Sequence, residues 1–443
     1  MRNGTLVPDS GQPDGRPGPA VRWPAAPSQV APTAKLPRPP VLPRIKVLHV
    51  ITRFRAGAGA NTLLSAEGMD PGRYEVWIAG VPGGELWERA RAAGLHTVEV
   101  RGFRHTLTPA DLLVLWRLVR LIRRERFTVV HTHSAKGGFL GRLAARLCRT
   151  PVVVHTFHGL SFHPYMSRPR RLAYRGLERA TRRFTHGFLA VAPRVAQQAV
   201  EERLAPPGRV HVVPSAVDLG HIPERFAPAV RREFAVPGRT SLIGTVGRID
   251  TQKAPLDFVR MAAAIRAERP GTAFVMIGDG PLAADVRRLA SELDVDVTLT
   301  GHRRDAARLV AGLDVFVITS LYEGLGRALT EALATARPVV ATAVNGVPDL
   351  VEHGATGLLV APADPQDAAR AVGWLLDHPI EAAAMGRQGC RRVRTTFAPQ
   401  TMCAAVDACY RSLLGLPDLG PDPAPPAYPT ASTTRRPRRS TCV

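Results

Sequence analysis

Two glutamates, Glu323 and Glu331, lie eight residues apart and flank a segment suited to binding a sugar and a phosphate. A carboxylate accepts hydrogen bonds from two hydroxyl groups at once, so each glutamate suits the paired hydroxyls of a sugar or ribose. Residues 323–326 read Glu-Gly-Leu-Gly, and a run of helix-forming residues begins at Arg327. The free amides and the partial positive charge at the start of this helix suit a phosphate or another polar oxygen.

A second pair of side chains, Arg248 and Lys253, is suited to binding a diphosphate. The planar guanidinium binds two phosphate oxygens together, whereas the lysine ammonium supplies a compact charge. Gly247 precedes the arginine and Ala254 follows the lysine, so small residues border both charges. These residue types favour an anionic ligand at this second segment.

Short apolar strands and helices alternate along most of the chain, and they must position these side chains. Residues 314–320 form a β-branched apolar run that predicts a buried parallel strand, and residues 338–341 predict the next strand. In a parallel sheet, the loops that follow the strand ends form the ligand crevice. Residues 321–326 are therefore expected to lie at a site, within a doubly wound α/β sheet.

Taken together, these motifs resemble those of the retaining, nucleotide-sugar-dependent glycosyltransferases of family 4, which have the GT-B fold. The resemblance rests on the two glutamates, on the Gly-Arg and Lys of residues 247–253, and on Gly-Asp-Gly-Pro at residues 278–281. It covers roughly residues 44–414. It implies an α/β protein in which two doubly wound, Rossmann-like domains face each other across a cleft.

The chain is expected to divide into five segments. They are a disordered tail rich in Pro and Gly (residues 1–43), an N-terminal acceptor domain (44–215), a C-terminal nucleotide-sugar domain (216–398), a terminal helix that crosses back to the first domain (399–416), and a disordered basic tail (417–443).

The resemblance implies a role for each candidate catalytic residue. Arg248 and Lys253 would clamp the leaving diphosphate, Glu323 would hold hydroxyls of the donor sugar, and Glu331 would hold the ribose. His158 matches the histidine that lies against the donor sugar in the family, where it binds and orients. A general-base role stays open, because histidine titrates near neutrality. The other residues expected to bind the donor are Gly57, Gly59, Gly278, Gly280, His302, Gly324, Leu325 and Gly326.

A glycine-rich segment near the start of the first domain is a second candidate for phosphate binding. Residues 53–60 are expected to form a loop between a strand and a helix that begins at Asn61, which is an arrangement able to cradle phosphate. The family usually has adjacent glycines here, whereas this chain has Ala-Gly-Ala-Gly-Ala. A plain tight turn is the alternative interpretation.

Two histidine-containing segments, residues 131–136 and 154–159, resemble the acceptor-side loops of the family. The resemblance implies that His133 and Lys136 bind the acceptor. His131 and His133 could also form a metal pair, but we expect them to point to opposite faces at the end of a strand, and no acidic third ligand lies nearby. We therefore expect no metal and no cofactor.

Positive charge is concentrated in the first half of the chain. Of the formal net charge of +22, residues 44–215 carry +17, from 28 Lys or Arg and 11 Asp or Glu, whereas residues 216–416 carry 22 of each. Nucleic acid, an anionic membrane surface or an anionic substrate could explain this excess, and arginine-rich composition is the alternative. Nucleic acid is the least expected partner, because no aromatic platform or reading motif accompanies the arginines.

Two predicted helices carry much of this charge. Residues 168–183 are the densest basic stretch and resemble helices that lie on anionic membranes, with Leu172 and Leu177 near one side. A solvated helix face is the alternative. Residues 111–124 predict an amphipathic helix with a basic end. Its apolar face is expected to consist of Leu112, Leu115, Trp116, Val119 and Ile122.

The composition of the chain indicates the cellular compartment in which it works. No run of 18 apolar residues is present, so no membrane-spanning helix is expected, and the N-terminus lacks the apolar segment of a signal peptide. The five cysteines lack metal-binding spacing and indicate a reducing compartment without disulfides. We expect a cytoplasmic protein that associates peripherally with the inner face of the plasma membrane.

The predicted reaction is metal-independent, retaining transfer of a sugar from a nucleoside-diphosphate sugar, with UDP as the expected nucleotide. The acceptor would be a saccharide or a lipid-linked molecule in the synthesis of a cell-surface polysaccharide or glycoconjugate. One alternative is another GT-B enzyme, such as a sugar phosphorylase or a nucleotide-sugar epimerase. Another is a catalytically silent GT-B module that binds carbohydrate or a partner transferase.

Overall fold

A computed structural model describes the chain between the two terminal tails with four short gaps. The described residues are 43–54, 56–103, 108–223, 227–238 and 240–417. The two segments that the sequence predicts to be disordered tails lie outside this part of the chain, apart from residues 43 and 417.

Seven parallel strands form the first sheet. They are β1 (Ile45–Arg53), β2 (Tyr74–Val81), β3 (His96–Glu99), β4 (Val129–His133), β5 (Val152–Phe157), β6 (Gly187–Ala190) and β7 (Val210–Val212). Their order in the sheet is β3-β2-β1-β4-β5-β6-β7. Every residue of β4, β5 and β6 is buried, which fits apolar runs covered by helices on both faces.

Six parallel strands form the second sheet. They are β8 (Leu242–Val246), β9 (Ala273–Ile277), β10 (Val297–Leu299), β11 (Val315–Ile318), β12 (Val339–Thr342) and β13 (Leu358–Val360). Their order is β10-β9-β8-β11-β12-β13. The strand order reverses direction between β1 and β4 in the first sheet and between β8 and β11 in the second. These are the switch points at which a doubly wound sheet binds its ligand.

Helices cover both sheets. In the first half they are α1 (Ala56–Glu67), α2 (Glu85–Ala92), α3 (Asp111–Glu125), α4 (Ala135–Leu147), α5 (Arg168–Thr181) and α6 (Pro193–Glu201). In the second half they are α7 (Pro228–Glu233), α8 (Pro255–Glu268), α9 (Ala283–Glu292), α10 (Ala306–Val310), α11 (Arg327–Ala334), α12 (Val347–Leu350), α13 (Pro365–Asp377), α14 (Pro379–Thr396) and α15 (Pro399–Leu414). Short 3-10 helices are Arg182–Phe184, Pro207–Arg209, Leu219–His221 and Thr251–Lys253. The two doubly wound α/β sheets agree with the predicted fold class.

The terminal helix α15 packs into the core of the first half. Its buried side chains, among them Met402, Val406 and Tyr410, share a cluster with residues of β1 and α1. Asp407 accepts hydrogen bonds from Tyr74 Oη at 2.6 Å and from Arg73 Nη1 at 3.2 Å. Helix α15 therefore lies beneath the sheet that carries the histidine-containing loops.

The start of helix α1 differs from the expectation. Helix α1 begins at Ala56, so Gly57 and Gly59 lie in its first turns and the predicted loop is shorter. Alanine favours helix, and glycine allows the close packing seen here, since a Cβ at Gly59 would lie 2.8 Å from the carbonyl carbon of Phe54.

The apolar face of α3 was predicted only in part, because Ile122 is buried and Leu115 and Val119 pack against the core as expected. Helix α3 buries Val114, Leu118 and Leu121, a stripe with helical spacing that is equally compatible with the sequence, and it exposes Leu112 and Trp116. Helix α5 buries polar side chains, Glu178 and Thr181, and exposes Leu172. The reason for the polar contact is Arg142 of α4, which is fully buried and donates to Glu178 Oε2. Among the described helices, none has the length and hydropathy that crossing a membrane requires.

Candidate active site

An ion pair between Lys253 and Glu323 lies at the C-terminal edge of the second sheet. Lys253 ends the 3-10 helix that follows β8, and Glu323 lies in the loop between β11 and α11. Lys253 Nζ donates to Glu323 Oε1, and Ser320 Oγ donates to the same oxygen at 2.9 Å. The backbone N–H of Glu323 donates to Asn345 Oδ1 at 3.0 Å. Glu323 is 9% exposed, so its carboxylate has a fixed position beside a cation.

Side-chain packing and backbone conformation explain why small residues flank Lys253. A Cβ at Gly247 would lie 3.2 Å from Cε of Lys253, so the lysine side chain runs directly over this glycine. Ala254 has φ 44, a left-handed conformation that favours glycine. Alanine here keeps the turn at the cost of local backbone strain.

Arg248 lies on the same loop as Lys253, after β8, and its side chain is 59% exposed. Its Nη2 atom is 2.7 Å from Asp250 Oδ2 and 3.3 Å from Gln252 Oε1. Gly278 and Gly280 support the arginine loop from below, because Cβ atoms there would lie 1.9 Å from the Gly247 carbonyl oxygen and 2.4 Å from that of Ile249. The guanidinium is accessible to a ligand, whereas the backbone that carries it is closely packed.

His302 is exposed and follows Gly301, which forms an isolated β-bridge with Gly278. The residue therefore lies on the loop after β10, next to β9, the strand that ends before Gly278. Leu325, also expected to contact the donor, is a buried core residue, so only its backbone is available to a ligand.

Helix α11 begins at Arg327, and the residue that precedes it, Gly326, has a φ of 96 that favours glycine. Arg327 Nε donates to Glu331 Oε1 at 2.7 Å. Its Nη1 atom is buried and has no hydrogen-bond partner among the described residues. A Cβ at Gly57 would lie 3.8 Å from Cβ of Arg327, so the start of α1 meets the start of α11. Sequence reasoning missed Arg327, although its place at the first position of the site helix was a usable signal.

Glycines bring the backbones of the two halves into direct contact. A Cβ at Gly324 would lie 1.8 Å from the carbonyl oxygen of His158, and one at Gly159 would lie 3.2 Å from Cα of Gly324. Beside this contact, Asn345 Nδ2 donates to Gln198 Oε1 at 3.2 Å. The structure thus brings His158 next to the loop that carries Glu323.

His158 ends a chain of three hydrogen-bonded imidazoles. Its Nε2 atom is 3.0 Å from Nδ1 of His133, and Nε2 of His133 is 2.9 Å from Nδ1 of His49. His131 stands beside this chain, with Nδ1 2.6 Å from the Tyr410 hydroxyl and Nε2 2.6 Å from Thr156 Oγ1. Sequence reasoning missed His49, which comes from β1 on the other side of the switch point.

His131 and His133 lie on the same face of β4, with ring centroids 4.3 Å apart, so the expectation of opposite faces was wrong. Strand residues two positions apart share a face. His49, His131 and His133 are the group among the described residues whose ligand atoms could hold a metal, since these atoms lie within 4.8 Å of one another. Five of their six ring nitrogens already have hydrogen-bond partners, and the sixth is His49 Nε2. In this structure the group is a hydrogen-bonded network.

Burial keeps these imidazoles neutral. It lowers the pKa of His49 to about 3 and that of His158 to about 4. Burial, followed by repulsion from neighbouring histidines, lowers the pKa of His131 and His133 well below the ordinary value. A base with a pKa near 4 accepts a proton poorly at neutral pH, so His158 is poorly suited to general-base catalysis.

The two residues expected to bind the acceptor are both buried. His133 is enclosed between His49 and His158 and reaches a ligand only through His158. Lys136 lies in the first turn of α4, and its ammonium is 2.5 Å from Asp111 Oδ1. Direct contact of Lys136 with an acceptor would require this ion pair to separate.

Comparison with known proteins places the chain in a family. The model described as Glycosyltransferase Family 4 matches residues 55–221, and the model described as Glycosyl transferases group 1 matches residues 240–378. The UDP-Gal:alpha-D-GlcNAc-diphosphoundecaprenol alpha-1,3-galactosyltransferase of Escherichia coli is 34% identical over 56% of this chain and 66% of its own length. The chain thus spans just under two thirds of that protein. The alpha-D-kanosaminyltransferase of Streptomyces kanamyceticus is 31% identical over 61% of this chain and 73% of its own length.

Solved structures share the fold at low sequence identity. Anabaena HepE in complex with UDP and glucose has a TM-score of 0.73 at 17% identity and covers 83% of this chain and 100% of its own. Sucrose-phosphate synthase of Thermosynechococcus elongatus has a TM-score of 0.71 at 20% identity and covers 84% of this chain and 100% of its own. The family models, the relatives and the two facing α/β sheets agree, and the chain belongs to glycosyltransferase family 4, with the GT-B fold.

Proposed function

We propose that this glycosyltransferase is a retaining, metal-independent enzyme that moves a sugar from a UDP-sugar to a lipid-linked acceptor. The observation that carries the proposal is the cluster of Lys253, Glu323 and Arg248 at the edge where Gly159 and Gly324 touch. A cation, a carboxylate and an accessible guanidinium lie on one half, and the backbone of His158 from the other half contacts the loop that carries the carboxylate.

Charge stabilisation of the leaving diphosphate is the main catalytic contribution. As the bond between sugar and phosphate breaks, negative charge develops on the diphosphate and positive charge on the sugar. Lys253, Arg248 and the free amides at the start of α11 neutralise the diphosphate. Glu323 accepts hydrogen bonds from sugar hydroxyls when its contact with Lys253 loosens, and Glu331 accepts them from the ribose.

Proton transfer needs no protein base in this proposal. The acceptor hydroxyl approaches on the face from which the diphosphate leaves, and a phosphate oxygen takes its proton. The resulting product keeps the anomeric configuration of the donor. The low pKa of His158, about 4, supports this assignment because the residue would be a weak base.

Relatives support the choice of donor and acceptor. The E. coli relative is named for UDP-Gal and for a GlcNAc unit on diphosphoundecaprenol, and the Anabaena structure holds UDP and glucose. We infer a UDP-sugar donor and an acceptor sugar on a lipid diphosphate, for a cell-surface polysaccharide or glycoconjugate. Such an acceptor is anionic, which suits a domain with a charge of +17 over residues 44–215.

The outer face of α3 and α5 would place the enzyme on a membrane. Leu112, Leu113 and Trp116 of α3 are 74%, 48% and 54% exposed, and the Arg120 guanidinium lies 5.5 Å from the centre of the Trp116 ring. Leu172 of α5 is also exposed. Exposed apolar side chains bordered by arginines suit the boundary between headgroups and acyl chains of an anionic leaflet. This association would be peripheral, on the cytoplasmic face.

Cosedimentation with vesicles tests this surface. Wild-type protein should bind vesicles containing anionic lipid more than neutral vesicles, and the double variant Leu112→Ser, Trp116→Ser should lose most of the binding. The matched control is Trp374→Ser, Ile380→Ser, which removes exposed apolar side chains from the second half and should bind like wild type. Equal binding of wild type to both vesicle types at low salt would contradict the membrane assignment.

A transfer assay tests the enzymatic proposal. Purified protein, treated with EDTA, is given UDP-sugars with and without a synthetic GlcNAc-diphosphate lipid, and NMR determines the anomeric configuration of the product. The expected result is a retained linkage that forms only when acceptor is present. An altered nucleotide sugar without acceptor would favour an epimerase, release of sugar phosphate would favour a phosphorylase, and loss of transfer in EDTA would contradict metal independence.

A further inference from the structure

We propose that His49 and His133 are positioning residues that hold His158 as the Nδ1–H tautomer, so that His158 donates a hydrogen bond to the bound donor. The inference rests on the proposed function for the presence of that donor. It assigns roles to two buried side chains that cannot touch a substrate, and it replaces a possible base with a hydrogen-bond donor.

The two hydrogen bonds that join His49, His133 and His158 must point in the same direction. A neutral imidazole carries one N–H and one lone pair. His49 Nδ1 and His133 Nε2 are 2.9 Å apart, and His133 Nδ1 and His158 Nε2 are 3.0 Å apart. Each of these contacts needs one proton and one lone pair. Because His133 participates in both contacts, the orientation of one contact determines the orientation of the other, and only two arrangements exist.

The surroundings of His49, the first imidazole of the hydrogen-bonded series, decide between the two arrangements. His49 is fully buried, and its Nε2 atom has no hydrogen-bond partner in the described part of the protein. In one arrangement this atom carries a proton that has no acceptor, and in the other it carries an unpaired lone pair. Buried N–H groups without an acceptor are rarer than buried acceptors without a donor. The favoured arrangement therefore has the proton of His49 on Nδ1.

The remaining protons follow from this one. His49 Nδ1–H donates to His133 Nε2, so the proton of His133 is on Nδ1 and is donated to His158 Nε2. The lone pair of His158 Nε2 is then occupied, and the single proton of that ring is on Nδ1. No described residue accepts a hydrogen bond from this atom, and His158 is partly exposed at the contact with Gly324. A sugar or phosphate oxygen of the donor is the partner that would accept the hydrogen bond from His158 Nδ1–H.

Burial supports the neutral state that the scheme requires. It lowers the pKa of His49 to about 3 and of His158 to about 4, and the pKa of His133 also lies well below its ordinary value. His131 imposes no direction, because both of its partners, Tyr410 and Thr156, are hydroxyl groups that can donate or accept.

Nitrogen-15 NMR of the full chain with labelled histidine tests the tautomer directly. His158→Gln assigns the signals by removing one ring. With or without UDP, His158 should show a protonated Nδ1 and an unprotonated Nε2 at neutral pH. A proton on Nε2, an imidazolium at this pH, or a zinc ion bound stoichiometrically by His49 would overturn the inference.

Variants of His49 test whether the tautomer matters for transfer. His49→Leu removes the donor, and we expect kcat to fall roughly tenfold, the scale of one hydrogen bond, while His158 becomes a mixture of tautomers. His49→Asn keeps an amide N–H near the Nδ1 position and should recover most of the loss. His155→Leu is the matched control. His155 is also buried, but it hydrogen-bonds to Thr132 and is not part of the series formed by His49, His133 and His158. It should lower the melting temperature and leave the His158 tautomer unchanged.

The two readouts separate the inference from the proposed function. Equal kcat losses in His49→Leu and His49→Asn, with an unchanged His158 tautomer, would show a purely structural role and overturn the inference. A protein that has the expected tautomer but transfers no sugar would contradict the proposed function and leave the tautomer assignment standing.

Discussion

The two sides of the candidate site differ in the charge of their polar side chains, which are ionised on one side and neutral on the other. On the second half, Lys253, Glu323 and Arg248 are ionised types that form ion pairs at a loop edge. On the first half, His133 is buried, His158 is partly exposed, and desolvation keeps both neutral. The first arrangement suits an electrostatic task, because charges near solvent can exchange an internal partner for a phosphate. The second suits an orienting task, because a fixed, neutral hydrogen-bond chain has little freedom to move.

This difference is also a difference in how each side is built. The charged side comes from loops that follow β8 and β11, adjacent strands of one sheet. The neutral side joins β1, β4 and the end of β5, and α15 closes it from below through Tyr410. Substitutions on the charged side should therefore change catalysis with little change in stability, and substitutions on the neutral side should change both.

Lys253→Ala should have the largest effect on activity. Removing one cation that stabilises the leaving diphosphate should lower kcat by roughly 10²-fold or more. The control Lys46→Ala removes a partly exposed lysine whose ion pairs with Glu75 and Glu125 are far from the site in sequence and fold. Steady-state rates and melting curves of both variants provide the measurement. Near-normal turnover by Lys253→Ala would refute the assigned role.

Gly324→Ala should separate the two sides of the site. A Cβ there would lie 1.8 Å from the His158 carbonyl oxygen, so the two backbones must move apart. Displacement of this size should lower kcat/KM by up to about 10²-fold. Gly208→Ala is the control, since a Cβ there meets nothing within 4 Å. If Gly324→Ala retained wild-type kcat/KM, the contact between the halves would be irrelevant to catalysis.

The neutral side predicts a specific loss of stability in acid. Burial lowers the pKa of His49 to about 3 and of His158 to about 4, whereas these side chains titrate near 6.5 when unfolded. Below pH 6.5 the unfolded state binds more protons, so stability is full above that pH and decreases as the pH falls toward 4. Melting temperatures from pH 7.5 to 4.5 measure this slope. His49→Asn should flatten it, and an unchanged slope would argue against a buried neutral His49.

Ala254→Gly should have the smallest effect, and it should be favourable. The left-handed conformation of Ala254, with φ 44, strains a residue that has a Cβ by about 1 kcal/mol. Glycine should therefore raise the melting temperature by a few degrees. Ala263→Gly, in the regular helix α8, is the control and should lower it. A lower melting temperature for Ala254→Gly would mean that packing of the Cβ outweighs backbone strain.

Much of the charged side was predictable, because its signals are local. Glycines, the two glutamates and the Arg and Lys residues lie in short segments that directly follow apolar strands, so strand order and loop position follow from the alternation. What local sequence could not show was the ion pair itself, since Lys253 and Glu323 are 70 residues apart.

The neutral side was predictable only in part. His133 and His158 were identified through motifs, but His49 lies in a strand that resembles any buried strand, and its partner is 84 residues away. The shared face of His131 and His133 was available from strand periodicity and was misread. The buried face of α3 was ambiguous because two stripes of apolar residues satisfy helical spacing. Packing against neighbouring elements, which sequence spacing does not contain, selects between them.

A crystal structure of the protein with a UDP-sugar is the most direct test of the charged site. The diphosphate should lie within hydrogen-bond distance of Lys253 Nζ, the Arg248 guanidinium and the first amides of α11, with the sugar hydroxyls on Glu323. A nucleotide bound elsewhere, with the ion pair between Lys253 and Glu323 intact and the cleft beside it occupied by protein side chains, would contradict the account.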